Sequence, residues 1–111
     1  MSNPLHEGGE TLTALIEVKI TPSRDRGYDR IAERISRFEA VQSVYLMSGG
    51  YDLAIMMEGE SLKDIALFVS EKLAPLESVL STATHFVLKK YKDHGVLFGD
   101  ENSGDERMIL S

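Results

Sequence analysis

The sequence predicts an α+β fold: a ferredoxin-like sandwich in which four antiparallel strands carry two helices on one face, in the order β-α-β-β-α-β. Three observations predict it. Residues 12–20 and 79–91 alternate between two faces with a two-residue period, residues 28–38 and 62–74 repeat apolar side chains with a helical period, and Gly49-Gly50 joins two runs rich in Val, Tyr, Leu, Ile and Met. A chain of 111 residues has room for one such domain built on one core.

Each element has its own signature. In the first strand Leu12, Ala14, Ile16, Val18 and Ile20 alternate with Thr13, Leu15, Glu17 and Lys19 until Thr21-Pro22, where proline lacks the N–H a ladder needs. Tyr28, Ile31, Ala32, Ile35 and Phe38 then fall on one helical stripe, with Asp29, Arg30, Glu33, Arg34 and Arg37 turned to water. Residues 41–48 and 51–58 form a hairpin through Gly49-Gly50, a pair that supplies positive φ angles. Ser61, with Asp64 three residues on, is a candidate N-cap for a second helix over about 62–74, which Pro75 ends. The last strand, 79–91, sets Leu80, Thr82, Thr84, Phe86 and Leu88 against Val79, Ser81, Ala83, His85 and Val87. The expected organisation is a disordered N-terminus (1–10), the domain (11–91) and an acidic tail (92–111), where Asp93, Asp100, Glu101, Asp105 and Glu106 outweigh Lys92 and Arg107. In that tail Val96, Leu97 and Phe98, and Met108, Ile109 and Leu110, offer apolar side chains to a neighbour.

Composition narrows the function. A net charge of −6 repels polyanions, and Arg24, Arg26, Arg30, Arg34 and Arg37 are interleaved with Asp25, Asp29, Glu33 and Glu39, so no phosphate track forms and no direct DNA binding is expected. No apolar run approaches the roughly 18 residues of a membrane span, and the first ten residues do not resemble a signal peptide. A cytoplasmic location is the expectation, and the absence of cysteine agrees with it.

The sheet predicts assembly. Leu53, Ala54, Ile55, Met56 and Met57 form an unbroken apolar run, and the last strand is apolar on both sides, yet helices cover only one face. A symmetric dimer packed sheet to sheet is the expected remedy.

Enzyme signatures are absent. His6, His85 and His94 lack metal-site spacing, and the nucleophile-elbow and glycine-rich phosphate-binding motifs do not occur, so no metal, cofactor or catalytic residue is expected. His85 is given a structural or interface role. The segment Ser48-Gly49-Gly50-Tyr51-Asp52 sets bare amides beside a carboxylate, the pairing an amino-acid zwitterion requires; alternatively, the glycines only turn the chain and Asp52 only caps it. Ser81, Thr82 and Thr84 add hydroxyls, although threonine is also a good strand former.

Tyr-Leu-Met-Ser-Gly-Gly-Tyr-Asp-Leu at 45–53, followed by Ser-Thr-Ala-Thr at 81–84, resembles the ligand-binding domain of Lrp/AsnC-type regulators over about residues 11–91. The resemblance implies sheet-to-sheet dimers assembled into an octameric ring, with an amino acid or related metabolite bound between dimers. It assigns Ser48, Gly49, Gly50, Tyr51 and Asp52 to the loop side of the pocket and Thr82 and Thr84 to its strand side. Regulators of this type normally carry an N-terminal helix-turn-helix, which the 11 residues before Leu12 are too few to form, so the expectation is a stand-alone effector domain that regulates transcription or an enzyme through a protein partner. The alternative is a dimeric α+β-barrel enzyme, such as a small monooxygenase or isomerase, with His85 or Asp52 in a cavity between sheets.

Overall fold

The computed structural model describes residues 11–22 and 27–98. Strand β1 (Leu12–Ile20), helix α1 (Asp29–Ser36), strands β2 (Val41–Leu46) and β3 (Leu53–Gly59), helix α2 (Leu62–Phe68) and strand β4 (Val79–Phe86) follow in the predicted order. The four strands form one antiparallel sheet in the order β2-β3-β1-β4, a ferredoxin-like sandwich. Its core lies between sheet and helices. Ile16, Val18, Leu53 and Ile55 from the sheet meet Ile35 of α1 and Ile65 of α2, all fully buried, and Phe38 and Phe68 close the helix pair edge to face at 5.4 Å. Ser61 caps α2 as expected, its Oγ accepting the Asp64 N–H at 3.1 Å.

Four local features depart from the sequence reading. Helix α2 widens at Val69–Leu73 into a π-helical turn, in which the Ala74 N–H donates to the Val69 carbonyl at 2.8 Å, and this keeps Val69 and Leu73 on the buried side. Strand β4 bulges: Lys19 pairs with Ser81 and Ile20 with Val79, so Leu80 is the extra residue. Val79 therefore packs on the core, and Leu80, expected on the same face as Thr82, stands 67% exposed. Strand β4 ends at Phe86, short of the predicted 91. Beyond it Lys92–Asp93 (β5) and Val96–Leu97 (β6) form a small hairpin inside the stretch expected to be tail, because His94 and Gly95 both adopt the positive φ that a two-residue hairpin turn requires. The expectations for residues 1–10 and for Met108, Ile109 and Leu110 lie outside the described residues.

The open face of the sheet is mixed. Register places Tyr45, Ala54, Glu17 and Ala83 in one row and Ser43, Met56, Leu15 and His85 in the next. Leu53, Ile55 and Met57 of the unbroken apolar run point to the helices, leaving only Ala54 and Met56 for the outer face. An apolar centre of Leu15, Ala54 and Met56 is thus bordered by polar groups, among them His85 and Glu17, whose Nε2 and Oε2 lie 3.3 Å apart. The sheet is less apolar on its outer side than the sequence predicted.

Candidate ligand-binding site

The loop between β2 and β3 is tied down at one end and open at the other. The Met47 N–H donates to the Asp52 carbonyl at 2.8 Å, and the Asp52 N–H donates to the Val18 carbonyl at 3.0 Å. Pairing of β1 with β3 stops at Val18 and Leu53, so the Ile20 N–H has no β3 residue opposite it. Asp52 fills that gap. Its Oδ2 accepts the Ile20 N–H at 2.8 Å, making the carboxylate an extension of the ladder next to a side chain only 4% exposed. The bland reading of Asp52 as a cap is realised, on β1 instead of on its own turn. A carboxylate still has a second oxygen and further lone pairs to offer a ligand.

Ser48, Gly49 and Gly50 are exposed, while Tyr51 and Asp52 are half-buried. Gly49 sits at φ +117°, a conformation that L side chains rarely adopt, and open space surrounds the Cβ position of both glycines. The loop therefore presents bare backbone above a fixed base. Thr82 and Thr84 are half-buried on β4, opposite the buried Val18 and Ile16 and on the face opposite to that of His85, as the alternation predicts. Since Val18 lies between Leu53 and Thr82, the loop exit and Thr82 are separated by two strand spacings, roughly 10 Å, and Thr84 lies one pair further off. Ser48 to Asp52 and Thr82 lie at one end of the sheet and Thr84 nearer its middle, and none of the seven lines the cleft between α1 and β2.

A cleft of about 390 Å³ opens beside the loop, between α1 and β2. Leu46 and Leu53, which bracket the loop, line it together with Tyr28, Asp29, Glu33 and Arg37. The sequence pattern assigns Asp29, Glu33 and Arg37 to the solvated face of this helix and Tyr28 to its apolar stripe. Their proximity to the hairpin follows only from the packing of α1 on the β2 edge, which periodicity does not reveal. Among the described residues no group of three or more His, Asp or Glu side chains is placed to hold a metal ion.

A family model described as the Lrp/AsnC ligand binding domain matches residues 13–97. The chain belongs to the Lrp/AsnC family. It is similar to the uncharacterised HTH-type transcriptional regulator YugG of Bacillus subtilis (strain 168), with 53% identity over 105 residues, covering 95% of this chain and 63% of that protein. The chain thus spans less than two-thirds of that relative's length. Among solved structures, a transcriptional regulator from Neisseria meningitidis in complex with L-Met is 25% identical with a TM-score of 0.65, over 78% of this chain and 55% of that one. A Thermus thermophilus protein shares the fold at a TM-score of 0.66 and 23% identity, over 74% of this chain and 99% of its own. The matched curated relative is named as a regulator, and the barrel-enzyme alternative finds no support in these comparisons. Among the described residues no helix is long and apolar enough to cross a membrane.

Proposed function

We propose that this Lrp/AsnC domain binds an amino acid or a related small metabolite at the β2–β3 hairpin loop, and that it works as a homo-oligomer regulating transcription or a partner enzyme through protein contacts. One observation carries the reading: the loop is anchored through Asp52 while leaving the amides around Gly49 and Gly50 bare, in a chain whose family is defined by ligand binding. Such amides suit a carboxylate, and the free oxygen of Asp52 suits an ammonium. Ser48 and Tyr51 flank them, and Thr82 and Thr84 are assigned to the opposite wall, supplied across a subunit boundary. The unit responsible is residues 11–91, with the β5–β6 hairpin appended. The L-Met complex of the Neisseria meningitidis regulator makes methionine the first ligand to try.

A phosphate-reading role for the described surface is disfavoured by the net charge of −6 and by the alternation of Arg30, Arg34 and Arg37 with Asp29, Glu33 and Glu39. Titration calorimetry against the twenty amino acids tests the ligand reading. Heat is expected with at least one of them, lost or weakened in a Gly49→Val variant that remains folded; silence from all twenty overturns it. Light scattering tests assembly, and a monomer mass at micromolar concentration overturns that part.

A further inference from the structure

On the far side of the domain from the hairpin loop, a groove of about 830 Å³ runs between the start of β1, the start of α2 and the chain leaving β4. Its floor is apolar, with Leu12, Leu62, Phe86 and Leu88 among its lining, and its rim holds Lys63, Lys89 and Lys90. Leu62 is 55% exposed and Leu88 is 93% exposed, so side chains of a kind that normally seek cover stand open here. The rim lysines differ in how far they are engaged by their own neighbours. Lys89 lies over the Tyr91 ring at 5.1 Å and Lys90 approaches Asp93 at 3.6 Å, whereas Lys63 has no ion pair with a described residue.

Phe98, the last described residue, itself lines this groove, and residues 99–111 follow it. Those thirteen residues carry Asp100, Glu101, Asp105 and Glu106 against the single Arg107, then the apolar triplet Met108-Ile109-Leu110. Acidic residues before an apolar triplet complement a lysine rim around an apolar floor. Met108 lies ten positions beyond Phe98, a reach of at most roughly 35 Å when extended, with Gly99 and Gly104 available for a reversal of direction. Tethering at the groove's own edge gives the triplet an effective concentration on the order of millimolar, so weak contacts suffice.

We propose that the groove is a docking site for Met108-Ile109-Leu110 of the same chain, with the preceding acids held by Lys63, Lys89 and Lys90. The docking is independent of the effector reading, since it uses neither the hairpin loop nor the threonines of β4. Screening at molar salt removes the lysine contribution and leaves the apolar one, so the triplet is held less tightly there but is not released.

The chain has no cysteine, so a Ser111→Cys variant of the 111-residue chain accepts a single nitroxide. Methyl resonances of Leu12, Leu62 and Leu88 should lose intensity in the oxidised label and regain it on reduction, and the loss should vanish when Ile109→Asp is added. Isotope-labelled chains mixed with separately spin-labelled ones should show no such loss. Unbroadened groove methyls, broadening indifferent to Ile109→Asp, or broadening that arises only in the mixed sample would each overturn the proposal. The last of these would assign the groove to a second copy.

Discussion

Replacing Asp52 separates its scaffold role from its proposed ligand role. Oδ2 is the acceptor for the Ile20 N–H at 2.8 Å, beyond the last β1–β3 pair, and the Ile20 side chain is 4% exposed. Asp52→Ala leaves that donor without its partner in a place water reaches poorly, a loss of about 1–3 kcal/mol. Taking about 2 kcal/mol, and an unfolding entropy scaled to 111 residues, the melting temperature should fall by roughly 8 °C. Asp52→Asn retains an oxygen acceptor of the same reach and should recover most of this loss, while giving up the negative charge that the ammonium of a bound amino acid requires. Urea titration and thermal melts of the three proteins, at one fixed chain concentration because assembly contributes to apparent stability, supply the measurement. An Asp52→Ala protein whose urea midpoint matches the parent would refute the anchoring role. An Asp52→Asn protein that is stable and binds ligand unchanged would leave the anchor intact and remove Asp52 from the site.

The remaining predictions concern single backbone and packing positions. Gly49→Ala should cost about 1–3 kcal/mol by urea denaturation, since φ +117° strains any L side chain, whereas Gly50→Ala, with open space and no positive φ, should lie within roughly 0.5 kcal/mol of the parent. Gly59→Ala places a methyl 2.8 Å from Cγ1 of the fully buried Ile65 and should destabilise by about 1–3 kcal/mol, with a Gly59→Ala, Ile65→Val double variant recovering part of it. Ser61→Ala removes the acceptor for the Asp64 N–H and should cost about 1 kcal/mol, while Ser61→Asp holds the parent midpoint. Leu15→Glu, at the apolar centre of the outer sheet face beside Met56 and Glu17, should dissociate the assembly in light scattering while preserving the far-ultraviolet dichroism of the fold.

Most elements were legible because their signals are local. The two-residue alternation of β1 and the helical stripe from Tyr28 to Phe38 each depend on a window no longer than the element itself, and Ser61 caps α2 through a residue three positions away. What escaped the sequence depends on register between distant segments. The second role of Asp52 exists because β3 starts opposite Val18, which leaves Ile20 without a β3 partner; nothing within the hairpin records where β1 extends past it. The bulge at Leu80 reverses the facing of Val79 through a slip against Lys19 and Ile20. The mixed outer face has the same origin, for Leu53 to Met57 looks apolar on both sides until register sets Glu17 beside Ala54 and brings His85 into the row of Met56 and Leu15. The β5–β6 turn was missed for another reason, since His-Gly stands where Asn-Gly or Asp-Gly would have announced a hairpin.

The geometry of the loop makes the proposed ligand binding depend on the proposed assembly. Ser48, Gly49 and Gly50 are exposed, and Thr82 lies about two strand spacings from the loop exit, so a ligand held by one chain alone would remain largely in water. Small-molecule sites generally cover some 70–90% of their ligand, and bare amides hold a carboxylate well only where water is kept away. On the proposed reading the second wall comes from another subunit. A ligand seated between two subunits binds the assembled form better than the separated one, and by reciprocity it must strengthen the assembly by the same factor, on the order of 5–150-fold for ordinary couplings. Native mass spectra across a dilution series should then show the larger assembly persisting to correspondingly lower chain concentration when the ligand is present. A dissociation curve that the ligand does not move would mean that the loop closes its pocket within one chain, by drawing on the α1 cleft beside Leu46 and Leu53.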